Sequence, residues 1–169
     1  NWEMVFCEMY AGGKYGTDEG SNYSTSIGLN GLGLCATQYA AEWMDVEVKR
    51  DGFKYSLHFE KGFNKGGLKK EAYTGRETGT KIRWKPDIEV FTDINIPFEY
   101  FDETIHMQAV ANAGLTINLK FENADGSFTE TSYCYREGIT DYIKELIGEG
   151  MERASAKEEE ESEDSDSEE

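Results

Sequence analysis

The sequence predicts an α+β two-layer sandwich, in which antiparallel strands form a sheet and helices gather on one face. Paired runs of alternating apolar and polar residues are separated by turn sequences, which is typical of antiparallel hairpins. Other segments have the spacing of amphipathic helices. The chain has 169 residues, of which 13% are aromatic, and this content favours a globular protein over a disordered one.

The first elements in chain order are a helix, a loop and a second helix. Residues 1–10 have helical spacing. Seven of the 18 glycines lie within residues 11–33, which predicts a loop, because glycine adopts backbone angles that other residues avoid. The apolar pattern that starts at Gly31 predicts a helix that ends near Trp43.

A β-hairpin follows. Val46 and Val48 alternate with charged residues, and a second alternating run begins after Asp51-Gly52. Two alternating runs joined by Asp-Gly are a strong hairpin signal. The remaining predicted elements are a glycine- and lysine-rich loop at 61–70, a strand at 80–84 ended by Pro86, a helix at 99–113, strands at 115–121 and 128–135, and a helix at 139–147.

The C-terminal end differs in composition from the rest of the chain. Residues 158–169 contain nine acidic side chains and three serines, and such a block cannot bury apolar surface. We therefore expect one folded region over residues 1–150 and an acidic disordered tail over 151–169. The net charge of −17 argues against a grip on nucleic acid phosphates by this piece alone.

Residues Gly28 to Gly33 form a GxxGxG sequence where the loop meets the second helix. Unpaired N–H groups and the helix dipole favour an anion at such a junction. The spacing differs from the GxGxxG of dinucleotide folds, and Tyr15 follows Lys14 where a P-loop requires Ser or Thr. On the residues alone, an ordinary turn and an anion site both remain open.

Several blocks in one order resemble the GHKL ATPases and, within that superfamily, the B subunits of bacterial type IIA topoisomerases (DNA gyrase and topoisomerase IV). The resemblance covers about residues 1–148 and is specific because the blocks occur jointly. The blocks are Tyr10-Ala11-Gly12-Gly13-Lys14-Tyr15, Gly28-Leu29-Asn30-Gly31-Leu32-Gly33, Val46-Glu47-Val48-Lys49-Arg50-Asp51-Gly52, Glu77-Thr78-Gly79-Thr80, Trp84-Lys85-Pro86-Asp87 and Tyr133-Cys134-Tyr135-Arg136-Glu137-Gly138-Ile139.

The resemblance implies the C-terminal part of a Bergerat-type ATP-binding fold, with an ATP lid at 11–33 and the sheet and helices at 34–150. It implies that Lys14 approaches the phosphates, that Thr80 lies on the floor of the adenine pocket and that Arg50 lies on its rim. The backbone of the glycine sequence would cradle the triphosphate. The implied ATP-binding residues are Gly13, Lys14, Tyr23, Gly28, Leu29, Asn30, Gly31, Leu32, Gly33, Leu34, Arg50 and Thr80.

The residues that hydrolysis requires in this superfamily are missing from the sequence. A Glu activates water, an Asn one helical turn later binds Mg²⁺, and a DxGxG sequence follows. The one Glu-x-x-x-Asn spacing, Glu60 to Asn64, follows a predicted strand and contains Gly62. We therefore predict no catalytic residue and no metal ligand here, with ATP and Mg²⁺ as the implied cofactors and the Mg²⁺ ligand outside this chain.

The function implied by the resemblance is the ATP-binding portion of a type II DNA topoisomerase, an isomerase that couples ATP binding and hydrolysis to strand passage and supercoiling change. The implied partners are a second B subunit upon ATP binding, and the topoisomerase A subunit and DNA through other parts of the parent. We expect a bacterial cytoplasmic protein without a membrane partner, and no hydrolysis by this chain alone.

Two alternatives remain open. The first is a non-catalytic GHKL-related acidic module that binds a basic partner. The second is another GHKL ATPase, such as a mismatch-repair or chaperone protein. The three cysteines form no CxxC pair, which favours a reducing compartment. His58 and His106 are interpreted as surface or hydrogen-bonded histidines and not as catalytic residues.

Overall fold

The computed structural model describes residues 2–11 and 31–148. The chain divides into two compact units, unit 1 up to Ile94 and unit 2 from Asn95 onward. The predicted boundary between the folded region 1–150 and the tail at 151–169 lies outside the described residues, so it stays a prediction. Among the described helices, none combines the length and apolarity that a membrane crossing needs.

Unit 1 contains two short helices and a five-stranded antiparallel sheet. The strand order is β3-β2-β1-β5, and β4 also pairs with β2. The elements are α1 (Trp2–Cys7), α2 (Gly33–Tyr39), β1 (Ala41–Arg50), β2 (Phe53–Glu60), β3 (Phe63–Asn64), β4 (Lys69–Ala72) and β5 (Gly79–Pro86).

The predicted hairpin is formed by β1 and β2. Arg50 pairs with Phe53, so Asp51 and Gly52 alone make the turn, with φ angles of 54° and 75°. Positive φ at both central residues is the requirement of a type I′ turn, whose twist matches that of the strands it joins. The Asp-Gly signal is confirmed.

Two element boundaries were wrong. The second helix was expected to end near Trp43, but α2 ends at Tyr39, and Ala41 already pairs with Pro86 of β5. The loop expected at 61–70 contains β3 and the start of β4. Pairing with β5 ends α2, and pairing with β2 forms β4, so contacts beyond the local sequence outweigh local propensity there. β3 instead follows β2 directly across Lys61 and Gly62, which have φ angles of 44° and 85°.

The core of unit 1 lies where α1 covers one face of the sheet. Phe59 and Met44 are fully buried, and the cluster also contains Phe6, Ala41, Val46 and Leu57. The ring centroids of Phe6 and Phe59 are 5.6 Å apart, so α1 contributes aromatic packing directly to β2.

Gln38 on α2 is a buried polar side chain with an unusual environment. It is 0% exposed, and neither its amide nitrogen nor its amide oxygen has a hydrogen-bond partner among the described residues. A buried polar group without a partner costs about 1–3 kcal/mol.

We therefore expect Gln38→Met to raise the free energy of unfolding by about 1–2 kcal/mol, because methionine fills a similar volume without polar atoms to desolvate. Urea denaturation followed by tryptophan fluorescence measures this. Ala36→Met, which changes an exposed position on α2, is the control and should not stabilise. A loss of stability in Gln38→Met would mean that the amide has a partner outside the described residues.

Unit 2 contains α3 (Phe98–Ala111), the hairpin of β6 (Thr116–Glu122) and β7 (Phe128–Cys134), and a helix, α4, at 139–148. Its buried hydrophobic cluster consists of Ala109, Val110 and Tyr135. The antiparallel sheets and flanking helices of the two units agree with the predicted α+β class.

His106 is hydrogen-bonded within unit 2, as interpreted from the sequence. Its Nε2 lies 2.7 Å from the Tyr135 hydroxyl, which donates to a Glu145 carboxylate oxygen at 2.7 Å. Because that hydroxyl has one proton, His106 Nε2 is the donor of the first hydrogen bond. Burial of Tyr135 and the neighbouring Glu145 carboxylate raise the pKa of Tyr135 well above its usual range.

Candidate functional site

An open cavity of about 510 Å³ lies on one face of the unit 1 sheet. Three residues of α1 contribute to its lining, together with residues of the adjacent strands β2, β1 and β5. Most of the surface is apolar, with Arg50 and Thr80 as polar members. The lining residues are Trp2, Val5, Phe6, Leu34, Val46, Val48, Arg50, Tyr55, Leu57, Leu68, Thr80 and Ile82.

The strand register explains why these residues share a face. Val48 of β1 pairs with Tyr55 of β2 and with Thr80 of β5. Val46 pairs with Leu57 and with Ile82 in the same way. Because side chains alternate between faces with a period of two, residues two apart on each strand point to the same side. The floor is therefore a continuous patch built across three strands.

Arg50 and Thr80, two polar residues of the lining, are both exposed. Thr80 lies on β5. Arg50 ends β1, and its guanidinium Nε lies 3.1 Å from a carboxylate oxygen of Asp51. An apolar concave surface with a few polar groups at its edge is the usual form of a small-molecule site. This surface suits a flat aromatic ring that also makes one or two hydrogen bonds.

The structure brings together three residues that the resemblance assigned to ATP: Leu34, Arg50 and Thr80. Gly31 has a φ of 60°, Leu32 precedes α2 and Gly33 is its first residue, so the described part of the glycine sequence leads into a helix as predicted. Their roles toward a nucleotide stay predictions. The predicted residues outside the described part are Gly13, Lys14, Tyr23, Gly28, Leu29 and Asn30.

The apolar residues that line the cavity were not predicted from the sequence as members of a site. Trp2, Tyr55 and Ile82 were interpreted as members of a helix or as the apolar side of strands, which is correct but incomplete. The alternation in β1 and β2 could have identified the shared face. The place of β5 beside β1 is a long-range pairing that no local pattern encodes.

The opposite face of the sheet is polar. His58 Nδ1 lies 2.7 Å from a carboxylate oxygen of Asp45, and Nε2 lies 3.2 Å from one of Glu60. The hydrogen bonds to Asp45 and then Glu60 raise the pKa of His58 above its ordinary value of 6.5. The described residues contain no group of three or more His, Cys, Asp or Glu side chains that could hold a metal ion.

The raised pKa of His58 gives unit 1 a pH dependence of known sign. Below the pKa that His58 has in the unfolded chain, protonated His58 stabilises the folded state in full. This contribution is lost as the pH rises through the higher pKa that His58 has in the folded state. We expect the His58 ring resonances in an NMR titration to show a pKa above 6.5. Asp45→Asn should lower it, whereas Asp51→Asn, which removes an acid distant from His58 in the register, should not.

Comparison with known proteins gives one consistent result. The chain is 35% identical over 152 residues to the B subunit of DNA topoisomerase 4 from Staphylococcus epidermidis, covering 89% of this chain and 22% of that protein. It is 34% identical over 143 residues to the DNA gyrase B subunit of Synechocystis, covering 83% of this chain and 13% of that protein. No family model matches the chain.

Among solved structures, a topoisomerase IV ATP-binding domain of Francisella tularensis, in complex with a small-molecule inhibitor, matches with a TM-score of 0.59 and 28% identity. The match covers 70% of this chain and 33% of that one. It confirms the predicted α+β fold class. The chain thus spans about a fifth or less of the length of the curated relatives it matches.

Proposed function

Since the chain belongs to the family of the bacterial type IIA DNA topoisomerase B subunits, we propose that it is part of the ATP-binding region of such a protein. ATP would bind with its base in the apolar cavity of unit 1 and its phosphates at the glycine sequence before α2. In the parent enzyme, ATP binding and hydrolysis would drive DNA strand passage and a change of supercoiling. This chain alone would bind nucleotide weakly and would not hydrolyse it.

The pairing of β1 with β5 is the observation that most strongly supports the proposal. The antiparallel register of β1 and β5 places Val48 opposite Thr80, so that Thr80, Arg50 and Leu34 line one cavity although 46 positions separate the first and last of them in the sequence. The family resemblance independently assigns all three to the nucleotide. An apolar cavity whose lining also includes the Thr80 side chain and the Arg50 guanidinium suits a purine base.

The same proposal implies the cofactors ATP and Mg²⁺ and the partners of the parent protein. The apolar lining of the cavity supports a site for the base of ATP, and ATP would supply the free energy that the parent enzyme couples to strand passage. Mg²⁺ would be held by residues that precede the lid in the family. A second B subunit, the A subunit, DNA and a cytoplasmic location belong to the parent protein. No observation favours the acidic interaction module as a second candidate for the site.

A nucleotide titration on a chimaera tests the proposal. The part of the S. epidermidis topoisomerase 4 sequence that precedes its match is fused to the N-terminus of this chain, which supplies the expected Glu, Asn and DxGxG boxes. We expect saturable ATP binding by calorimetry, and dimerisation with a non-hydrolysable ATP analogue by light scattering. A well-folded chimaera that neither binds ATP nor dimerises would contradict the proposal.

In the same chimaera, Thr80→Val is expected to weaken ATP binding by roughly tenfold. Valine keeps the shape of the side chain but leaves a polar group of the base unpaired, which costs about 1–3 kcal/mol. Thr78→Val is the matched control, because Thr78 is two residues away and does not line the cavity. Equal Kd values for the two variants would exclude Thr80 from the site.

A further inference from the structure

The segment 73–78 connects β4 to β5 and passes the turn of the β1–β2 hairpin. β4 pairs with β2, whereas β5 pairs with β1, so the chain crosses here from one side of the hairpin to the other. The Tyr73 N–H donates to the Gly52 carbonyl oxygen of the turn at 2.8 Å. Thr80 is the second residue of β5, so the path of this segment determines where Thr80 lies.

Segment 73–78 buries little side-chain surface. Tyr73 is half-buried, and residues 74–78 are exposed. An exposed segment with few buried apolar contacts opens at low cost. The polar contacts that the segment makes with the sheet are therefore what holds it in place.

Three side chains, Lys49, Tyr73 and Glu77, join the segment to β1, and we call them the clasp. Lys49 Nζ lies 3.2 Å from a Glu77 carboxylate oxygen and 5.0 Å from the centroid of the Tyr73 ring. The Tyr73 hydroxyl donates to the same Glu77 oxygen at 3.4 Å. Hydrogen bonds to Glu77 and then to Tyr73 raise the pKa of Lys49 above its ordinary value of 10.5, so its ammonium is charged at neutral pH.

The position of the Tyr73 ring requires a glycine at residue 75. The φ angle of Gly75 lies outside the left-handed region, so the backbone itself would accept another residue. A Cβ at Gly75 would, however, overlap the Tyr73 phenol ring. Any larger residue there would displace the ring from Lys49 and Glu77.

We propose that the clasp positions Thr80 for the base of ATP, which makes Lys49, Tyr73 and Glu77 positioning residues of the candidate site. Glu77 precedes β5 by two residues, and Lys49 pairs with Gly79, the first residue of β5. The ion pair thus fixes the start of the strand whose next residue is Thr80. Lys49 and Val48 point to opposite faces of the sheet, so the clasp acts through the backbone. This inference rests on the proposed function.

Hydrogen exchange on the full chain tests whether the clasp holds the segment. Lys49→Met removes the charge and keeps a similar length, and we expect the amides of 73–80 to exchange roughly threefold faster. Lys54→Met is the matched control. Lys54 pairs with Lys49 in the register and contacts Glu71 of β4 at 3.0 Å, so this variant loses a similar ion pair outside the segment. Equal exchange at 73–80 in the two variants would contradict the proposal.

ATP binding by the chimaera tests whether the segment positions Thr80. We expect Lys49→Met to raise the Kd for ATP roughly threefold, the effect of one exposed ion pair, and Lys54→Met to leave it unchanged. Gly75→Ala should weaken binding by a similar factor, although it changes no charge. In the Thr80→Val background, Lys49→Met should cause no further loss, because no hydroxyl remains to be positioned.

The outcomes separate this inference from the proposed function. A chimaera that does not bind ATP overturns both. ATP binding that is weakened by Thr80→Val but not by Lys49→Met overturns the role of the clasp alone. An equal loss from Lys49→Met with and without Thr80→Val also overturns it, since Lys49 would then act independently of Thr80.

Discussion

Phe59→Ala is expected to lower the free energy of unfolding of unit 1 by about 3–5 kcal/mol, the usual range for removal of a buried phenylalanine. Phe59 is 0% exposed, and its ring contacts Phe6 and Trp2 at centroid distances of 5.6 and 6.1 Å. Alanine would leave a cavity between β2 and α1, because α1 is held to the sheet by these rings. Urea denaturation followed by tryptophan fluorescence reports unit 1, since Trp2, Trp43 and Trp84 all lie in it.

Phe63→Ala is the matched control. Phe63 is four residues away on β3 and is 72% exposed, so its truncation removes little buried surface and should change stability by less than about 0.5 kcal/mol. A similar loss in the two variants would show that the packing between α1 and β2 is not what stabilises unit 1.

Gly138→Ala is expected to destabilise unit 2 by about 2–4 kcal/mol, since two costs add at this position. Gly138 has a φ of 60°, in the left-handed region. A Cβ there would also lie 3.2 Å from the Val110 carbonyl oxygen and 3.3 Å from Ala113 Cβ. The residue belongs to the Tyr135-Arg136-Glu137-Gly138 block of the family resemblance, and the close approach to the end of α3 gives that glycine a physical role.

The variant Gly126→Ala separates the cost of a positive φ from the cost of crowding by a Cβ. Gly126 has a φ of 80°, but a Cβ there meets no atom within 4 Å. Only the backbone cost of about 1–2 kcal/mol should appear. Thermal unfolding followed by far-UV circular dichroism compares the variants, and the excess loss in Gly138→Ala measures the crowding against α3. If Gly126→Ala is as destabilised as Gly138→Ala, crowding contributes nothing.

Local sequence patterns were sufficient to predict the helices, strands and turns that do not depend on pairing with a distant strand. The turn at Asp51-Gly52 needs only two residues that tolerate positive φ, and the alternation on either side defines the strands it joins. The helix that became α3 and the β6–β7 hairpin were predicted within a few residues for the same reason. The C-terminal limit of α2 and the strand β4 were missed because they depend on pairing with β5 and β2. The short strand β3 was missed although its turn, Lys61-Gly62, is local and has positive φ at both residues.

The residues of the candidate site also fall into two groups, those that local sequence predicts and those that it does not. The glycine sequence before α2 was visible locally, and so was the apolar face that contains Val46 and Val48. The meeting of Arg50 and Thr80 depends on β5 folding back beside β1 across more than 25 residues, and only the resemblance to a known family supplied it. The resemblance could not supply the extent of the cavity or the contribution of Trp2, which depend on how α1 packs on this particular sheet.

The position of β5 has a consequence for solubility. β5 pairs with β1 along one side, and no described strand pairs with its other side, so backbone N–H and C=O groups from Gly79 to Pro86 form a border that invites edge-to-edge aggregation. Every second residue along it, Lys81, Arg83 and Lys85, is a cation, and two such borders repel each other. High ionic strength weakens this repulsion, so concentrated solutions of this protein should remain clear longest in dilute buffer.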